Sequence, residues 1–311
     1  MICVECTNLE IKCLYSQFKS KYIKLTVCDK CGKLADKYIE FDNVLLFLDV
    51  LLLKPQAYHH VAYNLVEASV FVTEDDYATV SPKKQPSYRT MMRYFILLIL
   101  FEVYLNWAYE EKSSYHSIMM QIVLQKSDVL QYCFFITQLV IEKMTLCSLL
   151  YFMFVNLLGW GKNPNTNLPA LYQRQYYISV LVVAVFMSLI VKCLPVIMLI
   201  WPYDNAFVAS TVVDVMAVLT TIEALKMITC SSYVATSLIV AVATVALIIW
   251  KQLVMCYVVA FVEGLSGATL FVYEFQHELT ELGLLRDFAR SFIQNFAKAM
   301  LPQFLRLLLS T

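Results

Sequence analysis

The chain has 311 residues and no formal net charge; 60% of its residues are hydrophobic and only 15% charged. A soluble domain averages about 45–50% apolar and about 25% charged residues, so this composition names lipid as the solvent. The balanced charge excludes a global electrostatic attraction to nucleic acid or another polyanion, and the six glycines leave little room for Gly-rich phosphate loops.

Residues 1–40 are polar, Lys-rich and cysteine-bearing. Cys3-Val4-Glu5-Cys6 and Cys28-Asp29-Lys30-Cys31 are two C-x-x-C knuckles separated by 21 residues, just beyond the about 15–20 usual for a zinc site. Each knuckle turns tightly enough to place two sulfurs on one ion. Together they predict a closed tetrahedral Cys₄ site holding one structural zinc, with no position open for water. Gly32 supplies permissive backbone after the second knuckle. The alternation in 22–27 reads as a strand of a zinc-ribbon-like module. The competing reading is a redox C-x-x-C or a disulfide pair, but a redox motif is usually single and sits beside a βαβ pattern. Cys13 is not expected to be a ligand. The other five cysteines lie in apolar stretches, where a thiol behaves as a small hydrophobe. No apolar signal region opens the chain, and no N-x-[ST] sequon occurs in it.

The apolar run 43–53 is too short to span. Eleven helical residues at about 1.5 Å each reach about half of the ~30 Å hydrocarbon thickness, so an interfacial helix is expected, with Asp42 or Asn43 as N-cap. Residues 69–92 form a linker with two prolines and mixed charge. Beyond it, 93–262 is the transmembrane region. Spans are expected at 94–109, 134–158, 177–201 and 233–262. A weaker fifth, 207–228, carries Asp214 and Glu223. Residues 263–311 predict a C-terminal amphipathic helix, with Phe288, Phe292, Phe296 and Leu301 opposite Arg286, Arg290, Lys298 and Arg306, the pattern of a helix lying in the membrane surface.

Lys83, Lys84, Arg89 and Arg93 precede the first span, whereas the loop after it holds only Lys112 and Lys126. The positive-inside bias puts the N-terminus in the cytosol, where thiolate ligands stay reduced. The intramembrane ionisable residues are Glu102, Glu142, Lys143, Lys192, Asp214 and Lys251. Such residues mark polar pathways or functional sites unless they pair or snorkel. Glu102 and Asp214 are the candidates for lipid contact, and Asp214 could pair with Lys192 or Lys251. No P-loop, G-x-S-x-G, H-E-x-x-H or Rossmann fingerprint is present.

After the knuckles the chain reads Asp36-Lys37-Tyr38-Ile39-Glu40-Phe41-Asp42-Asn43-Val44-Leu45-Leu46-Phe47-Leu48-Asp49, then Leu52-Leu53-Lys54-Pro55-Gln56-Ala57-Tyr58-His59-His60 and Tyr63-Asn64. With the cysteine spacing, this block strongly resembles the homology domain of the Arv family over about residues 1–65. Asn43, Asp49, Lys54 and Tyr58 are its motif positions here, and domain 1–68 is bounded on that basis. The resemblance implies a multi-pass protein of the endoplasmic reticulum, with the Golgi as a second location, and a zinc-binding N-terminal domain. It implies roles in sterol distribution, sphingolipid metabolism and glycosylphosphatidylinositol anchor assembly, with membrane lipids and lipid-synthesis proteins as partners. The family pattern has Arg at the position of His59. The expectation is a polytopic α-helical membrane protein that acts on lipids without being an enzyme. A lipid-modifying enzyme or a scaffold subunit of a lipid-synthesis complex is the alternative. A RING-type ligase is disfavoured because it needs about eight ligands for two zinc ions, and only four cysteines are in place here.

Overall fold

The computed structural model describes residues 1–9, 11, 13–18, 22–68, 88–112, 116–161, 170–193, 206–264, 266–277, 280 and 283. Most of the 69–92 linker, residues 194–201 of the third expected span and most of the C-terminal amphipathic helix lie outside these residues.

The N-terminal module begins with an antiparallel hairpin. Strand β1 (Tyr15–Gln17) pairs with β2 (Ile23–Leu25), Ser16 standing opposite Lys24. The second strand falls where the alternation placed one; the first was not read from the sequence. A single bridge between Val27 and Leu34 and the bond from Val4 N to Ala35 O tie the two knuckles together. Helix α1 is Asn43–Leu51. Asp42 holds the N-cap position with extended backbone, but its side chain makes no capping bond. Helix α2 (Pro55–His59) opens with proline at its first turn, where a missing N–H costs nothing. It continues into a π-helical turn, His60–Leu65.

Helices α3 (Arg89–Lys112), α5 (Asp128–Tyr151), α6 (Ala170–Ser188), α7 (Ala206–Thr229) and α8 (Tyr233–Glu263) follow, with the short α4 (Ile118–Leu124) after α3. Four segments are long and apolar enough to cross a membrane: Met91–Glu111, Asp128–Leu157, Gln173–Cys193 and Tyr233–Glu263. The shortest of these has 21 residues, which at about 1.5 Å each covers about 30 Å of hydrocarbon. Helix α7, which corresponds to the weaker segment expected at 207–228, is not among these four. It nevertheless runs antiparallel along α6 and its 3₁₀ extension Leu189–Cys193. Ser188 meets Thr221 at 2.9 Å, Thr220 donates to the Ser188 carbonyl at 3.0 Å, and Lys192 meets Asp214 lower down. Buried Ala184, Ala217 and Ala224 let the helices approach closely, the packing device of helices in lipid. Outward, α7 presents Val212, Val215, Met216 and Leu219.

The chain divides into two compact units. One comprises Met1–Tyr109 and Phe135–Leu247, so the cysteine module belongs with the helices 135–247. Its cluster of Ile2, Tyr38, Tyr58, Tyr63, Ala184 and Ile228 also takes in Met91, Phe95, Trp160 and Tyr176. The start of α3, the turn after α5, the start of α6 and the end of α7 therefore all meet the module. The other unit comprises Glu110–Phe134 and Ile248–Thr311. Within it, buried Glu274 accepts from the Met119 amide at 2.7 Å at the start of α4, and Lys126 pairs with Glu263.

Candidate metal centre and membrane charge network

The sulfurs of Cys3, Cys6, Cys28 and Cys31 all lie within 4.8 Å of one another. Cys3 and Cys31 are 3.8 Å apart and Cys6 and Cys28 3.7 Å, far beyond the ~2.05 Å of a disulfide. Four sulfurs placed tetrahedrally about 2.3 Å from one zinc ion stand about 3.8 Å apart. The donor set therefore fits one metal ion of that size. Among the described residues no other group of metal-ligating side chains clusters in this way, and Cys13 is exposed and outside it.

The two knuckles are built alike. The Thr7 amide donates to the Cys3 carbonyl and the Gly32 amide to the Cys28 carbonyl, at 2.9 and 2.8 Å. The residue after each second cysteine is left-handed, Thr7 at φ 56° and Gly32 at φ 69°. Glycine adopts this freely, while β-branched Thr7 is strained there. The thiols differ in electrostatics. Burial pushes Cys3 up to about 12, whereas the backbone N–H groups of Cys31 and Lys30 bring Cys28 down to about 6. Cys28 is thus the readiest thiolate, and Cys3 needs the charge of an ion to give up its proton.

A polar network seats this module on the helices. Asp36 is fully buried. Its Oδ1 accepts from the Tyr38 amide at 3.0 Å, and its Oδ2 from His60 Nδ1 and Asn64 Nδ2, both at 2.7 Å. Asn64 also exchanges bonds with the Ile2 main chain, at 2.8 and 3.0 Å. Asp49 accepts from the Tyr38 hydroxyl and from Lys54, which holds its carboxyl below the usual carboxylate range. Burial raises the Tyr38 phenol. These contacts give the motif positions physical content: Asp49 and Lys54 close the α1–α2 corner, Tyr58 fills the core, and Asn43 opens α1. The end of α7 is capped from the module. Tyr63 donates to the Ile228 carbonyl at 2.7 Å, and the two ring nitrogens of His59 face the carbonyls of Val4 and Met227 at 3.1 and 3.2 Å. Helix ends leave such carbonyls without internal partners, and an Arg at His59 would offer only donors to them. Asp36, His60 and Asn64 were not singled out from the sequence as a network. The available signal was a lone acidic residue opening the Asp36–Asp49 block.

The second assembly lies inside the spans. Lys143 on α5 donates to Glu102 Oε1 on α3 at 2.8 Å and to Glu142 Oε1 at 3.1 Å. Lys192 stands 3.5 Å from Glu102 Oε1, 3.7 Å from Glu142 Oε1 and 3.0 Å from Asp214 Oδ1 on α7. The structure therefore brings Glu102 and Asp214 together through Lys192, one of the two partners expected for Asp214. Glu102 and Lys143 side chains are each 3% exposed, while Asp214 is 61% exposed. The network runs from the bundle interior to its surface. Glu102 Oε2 is buried without a hydrogen-bond partner. What sequence reading missed is the bridging role of Lys143 and Lys192, which depends on four helices meeting.

A family model for the Arv1-like family matches residues 2–225. Protein ARV1 of Candida albicans is 40% identical over 241 residues, covering 75% of this chain and 81% of that protein. Protein ARV1 of Saccharomyces cerevisiae is 27% identical over 281 residues, covering 75% and 83%. Protein ARV1 of Homo sapiens is 44% identical over 62 residues, 20% of this chain and 22% of that protein. No solved structure matches the chain. With a cysteine module seated on apolar helices, and a match of this length and identity, the chain belongs to the Arv1-like family.

Proposed function

We propose that this protein is a non-enzymatic factor of lipid homeostasis in the endoplasmic-reticulum membrane, with the Golgi as a second location, serving sterol distribution, sphingolipid metabolism and the handling of glycosylphosphatidylinositol intermediates. The named lipid roles and the location are what the family resemblance implies; the structural observation that supports a lipid site is the ion network of Glu102, Glu142, Lys143, Lys192 and Asp214. It is set near the middle of two membrane-crossing segments and reaches the surface at one carboxylate. Ionisable groups at that depth are costly and mark a binding site or pathway. Here lysines engage the carboxylates, an arrangement suited to holding a polar group rather than to turnover.

The metal is zinc in this reading. An all-cysteine set at tetrahedral spacing is closed, and its role is structural. Zinc would supply folding energy to the module and take no part in chemistry. The module faces the cytosol, with Arg89 and Arg93 at the adjoining start of α3. Helix α1 lies in the same leaflet surface. Its exposed Val44, Leu45, Phe47 and Leu48 enter the headgroup boundary, as an interfacial helix does. Membrane lipids are the ligands, and membrane-embedded lipid-synthesis proteins are the protein partners.

The test is mass spectrometry of lipids retained by the detergent-purified protein, beside a variant carrying Glu102→Gln and Asp214→Asn. A specific lipid enriched in the wild type and lost in the variant is the expected result. Bulk lipid alone in both would overturn the carrier reading and leave a scaffold subunit in its place.

A further inference from the structure

We propose that metal binding at the four cysteines fixes the end of helix α7, with His59 as the positioning residue that links the two. This rests on the reading of Cys3, Cys6, Cys28 and Cys31 as a metal site and extends its effect from the module to the helices.

The first knuckle has little regular structure to hold it. Residues 2–8 contain no helix or strand. Their main chain is tied down by turn bonds, by Val4 N to Ala35 O at 2.9 Å and by the exchange between Ile2 and Asn64. Small metal modules fold with their ion and unfold without it, so the knuckle has two states, ordered and released. The Val4 carbonyl lies between two ligands, Cys3 and Cys6, and ordering the ligands orders this carbonyl as well. His59 Nδ1 faces it at 3.1 Å, while Nε2 faces the Met227 carbonyl at 3.2 Å. The neutral ring has one N–H to share between the two carbonyls, and the protonated ring has one for each. His59 is buried. Releasing the knuckle therefore strips a buried polar ring of one neighbour, a loss that costs more than the bond itself returns.

The end of α7 depends on side chains of this kind, because its last carbonyls lie beyond the helix's own hydrogen-bond ladder. Cys230, left-handed at φ 52°, closes the helix by donating its amide to the Lys226 carbonyl at 3.0 Å. Tyr63 takes the Ile228 carbonyl from the π-helical turn, and the His59 ring touches the knuckle and α7 at once. Beside these contacts lies a cleft of about 300 Å³, lined among others by Thr7, His59, Tyr63, Trp160 and Cys230. It leaves room for the helix end to shift once the ring lets go. About two turns before that end, Thr220 and Thr221 bond Ser188. The seam between α6 and α7 is therefore the next structure to feel the change.

The experiment is hydrogen exchange, read by mass spectrometry, on the full-length protein in detergent micelles before and after a chelator strips the metal, with metal content measured alongside. Metal removal is expected to speed exchange of the amides in 226–232 about fivefold, the effect of one lost hydrogen bond, while 234–247 of α8 keeps its protection. His59→Ala is expected to give the same acceleration with the metal still bound. His59→Arg, which offers donors to both carbonyls, is expected to hold protection close to that of the wild type. Unchanged exchange in 226–232 after the metal has gone overturns the inference and leaves the metal site standing. A rise of equal size throughout 234–247 also overturns it, as general unfolding rather than a local link. So does a His59→Ala variant indistinguishable from the wild type. A wild-type protein that binds no metal overturns the metal reading itself, and the inference with it.

Discussion

Two buried networks in this molecule spend charge differently. Around Asp36 every carboxylate oxygen has a partner: the Tyr38 amide on one, His60 and Asn64 on the other. All the members come from one continuous N-terminal stretch. Around Lys143 and Lys192 the groups come from four helices, and Glu102 Oε2 goes without a bond. The first is what a purely structural network looks like, since an unpaired buried polar group costs more than a paired one returns. The second leaves unfinished chemistry where a completed pair would be cheaper, and this contrast is the physical ground for reading one as architecture and the other as a site.

The largest effect should come from the cysteines beneath the first network. Cys28→Ser removes the readiest thiolate, and metal binding contributes about 10–16 kcal/mol to folding of a small structural site. Loss of bound metal by elemental analysis is expected, together with rapid proteolysis within residues 1–40. Full metal content in the variant would sink the four-cysteine assignment. Next come the intramembrane variants, whose sizes should differ. Lys143→Met removes the buried cation between Glu102 and Glu142 and should cost about 3–5 kcal/mol. Glu102→Gln keeps an acceptor facing Lys143 and Lys192 but not the charge, and should cost less. If Glu102→Gln is the more damaging of the two, the bridging role of Lys143 fails.

Asp36→Asn keeps the shape of the first network but exchanges an acceptor for a donor opposite His60 or Asn64. It should cost about 1–3 kcal/mol, seen as a lower melting temperature of the module with metal still bound. No loss of stability would mean the network is dispensable and the comparison is drawn too sharply. The smallest effect is a gain. Thr7→Gly relieves a left-handed β-branched residue and should stabilise the module by up to about 1 kcal/mol, measurable as slower metal release to a chelator. A loss would show that the Thr7 hydroxyl bond to the Cys6 carbonyl outweighs the strain.

Much of the molecule was legible in the chain because it depends on local pattern. The C-x-x-C pairs define their own turns, so four ligands and their grouping follow from spacing alone. Apolar runs of about 20 residues have few options other than spanning helices, and four such segments appear close to where the runs lie. What the tertiary structure alone decided is which polar groups meet. His60 finds Asp36 across 24 positions, and His59 finds Met227 across 168. Lys192 joins Glu102 to Asp214 because α3, α5, the end of α6 and α7 converge at one depth. Hydropathy and spacing record how each segment meets its solvent; the partner of a buried charge is set by helix packing between distant segments, which a single sequence does not encode in any local pattern.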